Sequence, residues 1–77
     1  MRIAVGQRWL FHDSRYTWVI EVTHLPDHTG FGHAKIIQVI KGPTEFFRVG
    51  SDVFVDAEPL KYVDFYTFLE GQEAPQG

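Results

Sequence analysis

The chain has 77 residues, with seven Lys and Arg against ten Asp and Glu for a net charge of -3, and 44% hydrophobic against 22% charged residues. A chain this short buries only about 60% of the surface its unfolded form exposes, which leaves room for one core and excludes a multidomain enzyme. The balanced composition excludes disorder and fibrous repeats, and the lack of cysteine excludes disulfide staples, thiolate chemistry and zinc ribbons.

At the N-terminus, Arg2 and Arg8 interrupt the sequence before an apolar signal segment could form, so no secretory signal and a cytoplasmic location are expected. No charge-free stretch approaches the ~20 apolar residues of a membrane span, so no membrane association is expected. Gln7 to His12 reads as a first strand, Asp13-Ser14-Arg15 as turn chemistry, and Tyr16 to His24 as a second strand rich in β-branched and aromatic residues. Together they predict a hairpin. In the second strand Trp18, Ile20 and Val22 share one face, which should be core, while Thr17, Val19, Glu21 and Thr23 share the other. Nine residues at ~3.3 Å each span about 30 Å, too long to stay flat over so small a core, so this strand must coil.

Leu25 to Gly32 has loop composition, and Ala34 to Lys41 predicts a third strand that is central or bent, because its alternation is poor. On strict alternation Ile36, Gln38 and Ile40 share one face, and Ile37 and Val39 the other. Glu45 to Val49 is a short fourth candidate and Asp52 to Asp56 a fifth. Leu60 to Leu69 fits both strand and helical templates; a strand is favoured, with one helical turn allowed. Residues 71–77 have the composition of a flexible tail, so 1–70 is expected to be the domain. The segments Val5-Gly6-Gln7-Arg8-Trp9-Leu10-Phe11-His12 and Val49-Gly50-Ser51-Asp52-Val53-Phe54-Val55-Asp56 echo each other and read as a glycine turn feeding a strand, used twice. The fold class that follows is all-β: five or six short strands in a small bent antiparallel sheet or SH3-like barrel.

Two Trp, three Tyr and seven Phe make twelve aromatic residues, 16% of the chain. At 150 to 250 Å² each they carry roughly 2,400 Å², a large share of what so small a domain can hide. Phe46 and Phe47 cannot both point into one core if extended, and Phe65-Tyr66-Thr67-Phe68-Leu69 places rings on both faces. Outward rings either cover hairpin edges and pack under loops, or form a contact surface for a partner, most cheaply a second copy in a homodimer. Phe46, Phe47, Arg48, Tyr66 and Phe68 are the candidate binding residues, each equally readable as core.

Other chemistry is sparse. His24, His28 and His33 have a spacing that could suit a metal, but Pro26 and Gly30 argue against the helix that would align them, so solvated loop histidines and no metal are expected. The carboxylates Glu21, Asp52, Asp56, Glu58 and Asp64 show no paired signature, and Ser14 and Ser51 sit in turn contexts, so no catalytic residue, no cofactor and no enzymatic activity are expected. Nucleic acid is disfavoured because the seven cations are scattered and outnumbered. Its one route is single-strand stacking, where Arg48 adjoins Phe46-Phe47 and Lys61 adjoins Tyr62. A cage for a methylated cation built from Trp9, Tyr16 and Asp13 is a further reading.

The Val-Gly-x-x-apolar opening of both echoed segments, Val5-Gly6-Gln7-Arg8-Trp9 and Val49-Gly50-Ser51-Asp52-Val53, is similar to the first strand of many SH3-like barrels. The ending, Tyr66-Thr67-Phe68-Leu69-Glu70-Gly71-Gln72-Glu73-Ala74-Pro75, resembles that of small uncharacterised bacterial and phage proteins, in which an aromatic, a polar residue, a second aromatic and Leu precede a Gln and a Pro. With the N-terminal opening, this ending covers about a fifth of the chain. The resemblance implies a short β-rich fold and supplies no activity, substrate or site residue. The function read from the sequence is a non-enzymatic binding or assembly module acting through exposed aromatic surface, with a weak single-stranded nucleic-acid binder as the alternative.

Overall fold

The computed structural model of the chain describes residues 3–28, 30–62 and 64–71. Five strands, β1 (Arg8–His12), β2 (Thr17–His24), β3 (Phe31–Lys41), β4 (Asp52–Asp56) and β5 (Tyr66–Glu70), form one antiparallel sheet in the order β4-β3-β2-β1-β5. A single 3-10 turn at Pro59–Tyr62 precedes β5, within the segment whose sequence fitted both templates. The tail expected over 71–77 lies outside the described residues except for Gly71. No helix among the described residues is long and apolar enough to cross a membrane.

The predicted hairpin forms in the register Arg8↔Glu21 to His12↔Thr17. Its turn is set by Asp13, whose Oδ1 accepts hydrogen bonds from the backbone N–H groups of Arg15 and Tyr16, both at 2.7 Å, while the Asp13 N–H donates to the Tyr16 carbonyl at 2.9 Å. These two amide donors, Tyr16 before Arg15, hold the Asp13 carboxyl below its ordinary range. The echoed segments prove to be equivalent devices. In each, a four-residue turn is closed by an i to i+3 bond (Gln7 N–H to the Ala4 carbonyl at 3.1 Å, Ser51 N–H to the Arg48 carbonyl at 2.9 Å) with glycine third, at φ +92° for Gly6 and +96° for Gly50. The glycine and the residue after it then face one residue across the sheet: Gly6 N–H donates to the Val22 carbonyl and Val22 N–H to that of Gln7, just as Gly50 N–H donates to Ile36 and Ile36 N–H to Ser51. This is a glycine bulge used twice, once to join the N-terminal segment to β2 and once to start β4 on β3.

Trp18, Ile20 and Val22 of β2 are buried, as their alternation predicts, and close the core with Ile3, Trp9, Ala34, Ile36 and Val55. Buried Gln7 sits under this core, its Oε1 accepting the Trp9 indole N–H at 3.1 Å and the Ala4 N–H at 3.0 Å. The sheet bends where β2 meets β3, whose pairing slips at three places, Thr17/Trp18, Val19/Ile20 and Val22/His24. One slip corrects the alternation read for β3. Ile20 pairs with Ile36 but Val19 with Gln38, so the residues beyond Ile37 change face; Val39 packs on the core and Ile40 faces water.

Glu45 to Val49 is not a strand but an irregular loop. Gly50 turns the chain immediately afterwards, and Phe47 is held by ring contacts to Tyr16 and Trp18 instead of by a ladder. At the ends of the sheet, Arg8 joins β1 to both neighbours through Glu70 at 2.8 Å and Glu21 at 3.3 Å. β4 and β5 are the outer strands in hydrogen-bond order, and the half-buried Tyr66 phenol of β5 is influenced by the Asp56 N–H of β4. Val55 of β4 and the half-buried Phe68 of β5 contribute to one core, so the sheet is bent around it.

Candidate functional site

Of the twelve aromatic rings, five remain exposed: Phe31, Phe46, Phe54, Tyr62 and Phe65. The others divide between the fully buried core and an inner chain of contacts. Phe47 packs on Trp18 at 5.0 Å between centroids and on Tyr16 at 5.6 Å; Trp18 stacks on Phe11 at 5.3 Å, and Phe11 meets Tyr66 edge-on at 5.4 Å. Phe68 meets Trp9 edge-on at 5.1 Å. Of the residues named from sequence, Phe47, Tyr66 and Phe68 therefore lie half-buried against the core, whereas Phe46, 80% exposed, and exposed Arg48 project from the loop before β4. Burial raises the Tyr66 phenol pKa, an effect partly opposed by the Asp56 N–H. Trp9 is fully buried and the Asp13 carboxylate is engaged by its turn, so the cage read from Trp9, Tyr16 and Asp13 does not form.

The outward face of the sheet carries a second group of rings, assembled by register. With Gly32, Ala34 and Val55 buried, Phe31 and His33 of β3 and Phe54 of β4 must point outward. His24 pairs with His33, and His33 with Phe54, so three rings cross three strands in one row. Their centroids are 5.7 Å apart for His24 and His33, and 5.2 Å for His33 and Phe54, with Phe31 beside Phe54 at 6.2 Å. The row is firmly seated: the Thr23 hydroxyl donates to the His33 carbonyl at 3.2 Å and contacts His24 Nδ1 at 3.1 Å.

Beside the row lies a groove of about 480 Å³ lined by His24, His33, Asp52, Val53 and Phe54. Asp52 and Asp56 flank Phe54 on the outward side of β4, and Lys35 stands opposite Asp52 in register. Among the described residues the Asp52 carboxylate forms neither an ion pair nor a hydrogen bond, while the Asp56 carboxylate accepts the Glu58 N–H at 2.8 Å. Lys61 is paired with Glu58, which raises its pKa. No group of three or more His, Asp or Glu among the described residues is placed to hold a metal ion. His28 lies exposed in the loop between β2 and β3, whereas His24 and His33, expected as loop histidines, stand on β2 and β3. The site is chemically a platform of rings with an unpaired carboxylate at one end. No family model, curated protein or solved structure matches the chain.

Proposed function

We infer that the protein is a small non-enzymatic docking or assembly module that self-associates, or binds a protein partner, through exposed aromatic surface. The observation that carries this reading is the outward row His24, His33 and Phe54 with Phe31, where Phe54 is 70% exposed and Phe31 45% exposed on a sheet whose core is already closed. Contiguous rings facing water are costly unless a second surface covers them. The bends where β2 meets β3 suit an SH3-like sheet without requiring one.

A stacking platform for single-stranded nucleic acid has similar rings but different electrostatics. Phosphates would meet Asp52 and Asp56 beside Phe54, and Lys61, a candidate cation, is occupied by Glu58. The test is light scattering over a concentration series with the wild-type chain and Phe54→Ser, alongside oligo-dT anisotropy at low salt. Mass that rises with concentration in the wild type and stays monomeric in the variant is the expected outcome. Oligo-dT binding at micromolar protein, lost in Phe54→Ser, would replace this reading with the nucleic-acid one.

A further inference from the structure

The loop before β4 and the groove beside β4 present complementary features: an exposed ring and cation on one, exposed rings and a carboxylate without an ion pair among the described residues on the other. The loop projects Phe46, the most exposed large apolar side chain described, and two residues later Arg48, exposed and without an ion pair among the described residues. Its backbone is fixed: the Arg48 N–H donates to Ser51 Oγ at 3.1 Å and the Ser51 N–H closes the Gly50 turn, so the two side chains ride on an ordered corner. The groove offers the matching set, with Phe54 and His33 in its lining, Phe31 beside Phe54, and the Asp52 carboxylate to receive a cation. Edge-to-edge pairing of β4 with β4 is opposed by the sequence itself. Asp52-Val53-Phe54-Val55-Asp56 is palindromic, so antiparallel pairing centred on Phe54 would set Asp52 directly against Asp56 of the other copy at both ends.

Resting on the reading of self-association, we propose that the groove's occupant is the Phe46–Arg48 corner of a second copy of this chain. The Phe46 ring packs against Phe31 and Phe54, and the Arg48 guanidinium pairs with the Asp52 carboxylate while lying against the His33 and Phe54 rings. Guanidinium suits this position because it is planar, weakly hydrated and able to stack and bond a carboxylate at once. The Arg48–Ser51 turn leads directly into Asp52, so corner and groove adjoin and every copy carries one of each.

Charge exchange between the two patches tests the proposal directly. Arg48→Asp and Asp52→Arg should each weaken self-association by roughly tenfold or more, as expected for reversing one close interfacial pair. An equimolar mixture of the two variants should regain association, since each then supplies what the other's groove or corner lacks. Phe46→Ser, which leaves all charges in place, should weaken it as well. The readout is mass by light scattering, with circular dichroism confirming that each variant is folded. Wild-type association that neither charge reversal changes, or a mixture that stays dissociated, overturns this proposal and leaves the aromatic docking reading standing. A wild-type chain that stays monomeric to millimolar concentration overturns self-association altogether, leaving only docking to a different protein.

Discussion

The two tryptophans carry the same side chain into the same core with opposite polar outcomes. Trp9 is fully buried and its indole N–H is received by Gln7 Oε1, which also takes the Ala4 N–H and so fastens the N-terminal turn beneath the sheet. Trp18 is nearly as buried, enclosed by Phe11, Tyr16 and Phe47, yet its Nε1 has no acceptor among the described residues. A buried donor without a partner forfeits its hydration with nothing in return, so removing it relieves a penalty that partly offsets the lost volume. Trp9→Phe should therefore destabilise the protein by about 2 to 3 kcal/mol and Trp18→Phe by about 1 kcal/mol, measured by urea unfolding. Equal losses in the two variants would show that the indole of Trp18 is satisfied after all.

At the level of strands, legibility followed local chemistry. β1, β2 and β4 were readable because turn residues bound each one and β-branched or aromatic residues fill them, and the Val-Gly echo was readable because a positive-φ glycine in third place leaves a sequence mark. What a register slip does is not written locally: nothing in Ile36-Ile37-Gln38 announces that the pairing moves there, and Val39 and Ile40 exchanged faces as a result. Glu45 to Val49 looked like a strand because two phenylalanines and a valine are good strand residues, but ring contacts to Tyr16 and Trp18 fix Phe47 without a ladder. The ring row escaped for the same reason, since His24 and His33 stand nine positions apart and meet only through the β2–β3 register. Their spacing was visible, but their pairing across strands was not.

The half-buried phenol of β5 is also testable at this level. Ser51 turns its carbonyl toward Ile36 of β3, so by alternation the backbone groups of Asp52, Phe54 and Asp56 face the open edge, where the Asp56 N–H influences the Tyr66 phenol. Tyr66→Phe should cost about 1 kcal/mol at neutral pH by removing the phenol oxygen from beside the Asp56 N–H. Because burial holds the folded phenol above its ordinary value of 10.0, its contribution is complete below pH 10 and is lost as pH rises through the folded value. The stability gap between wild type and Tyr66→Phe should accordingly narrow in urea titrations above pH 10. A gap that stays constant across that range would mean that burial does not hold the phenol neutral.

For the whole molecule, the decisive quantity is how ring surface divides between inside and outside. Adjacent residues make the division measurable. Phe46 is 80% exposed, so at ~25 cal/mol per Å² its hidden fraction, roughly 40 Å² of a side chain of about 200 Å², holds only about 1 kcal/mol. Phe47, one position on, packs against Tyr16 and Trp18, and its truncation opens a gap beside the core. Phe47→Ser should thus lose about 3 kcal/mol of unfolding free energy and Phe46→Ser no more than about 1. Association should follow the opposite order, with Phe46→Ser and Phe54→Ser lowering the mass seen by light scattering while keeping nearly the wild-type urea midpoint. If stability and association instead fall together in all three variants, the exposed rings belong to the fold and not to a contact surface, and the docking reading fails with them.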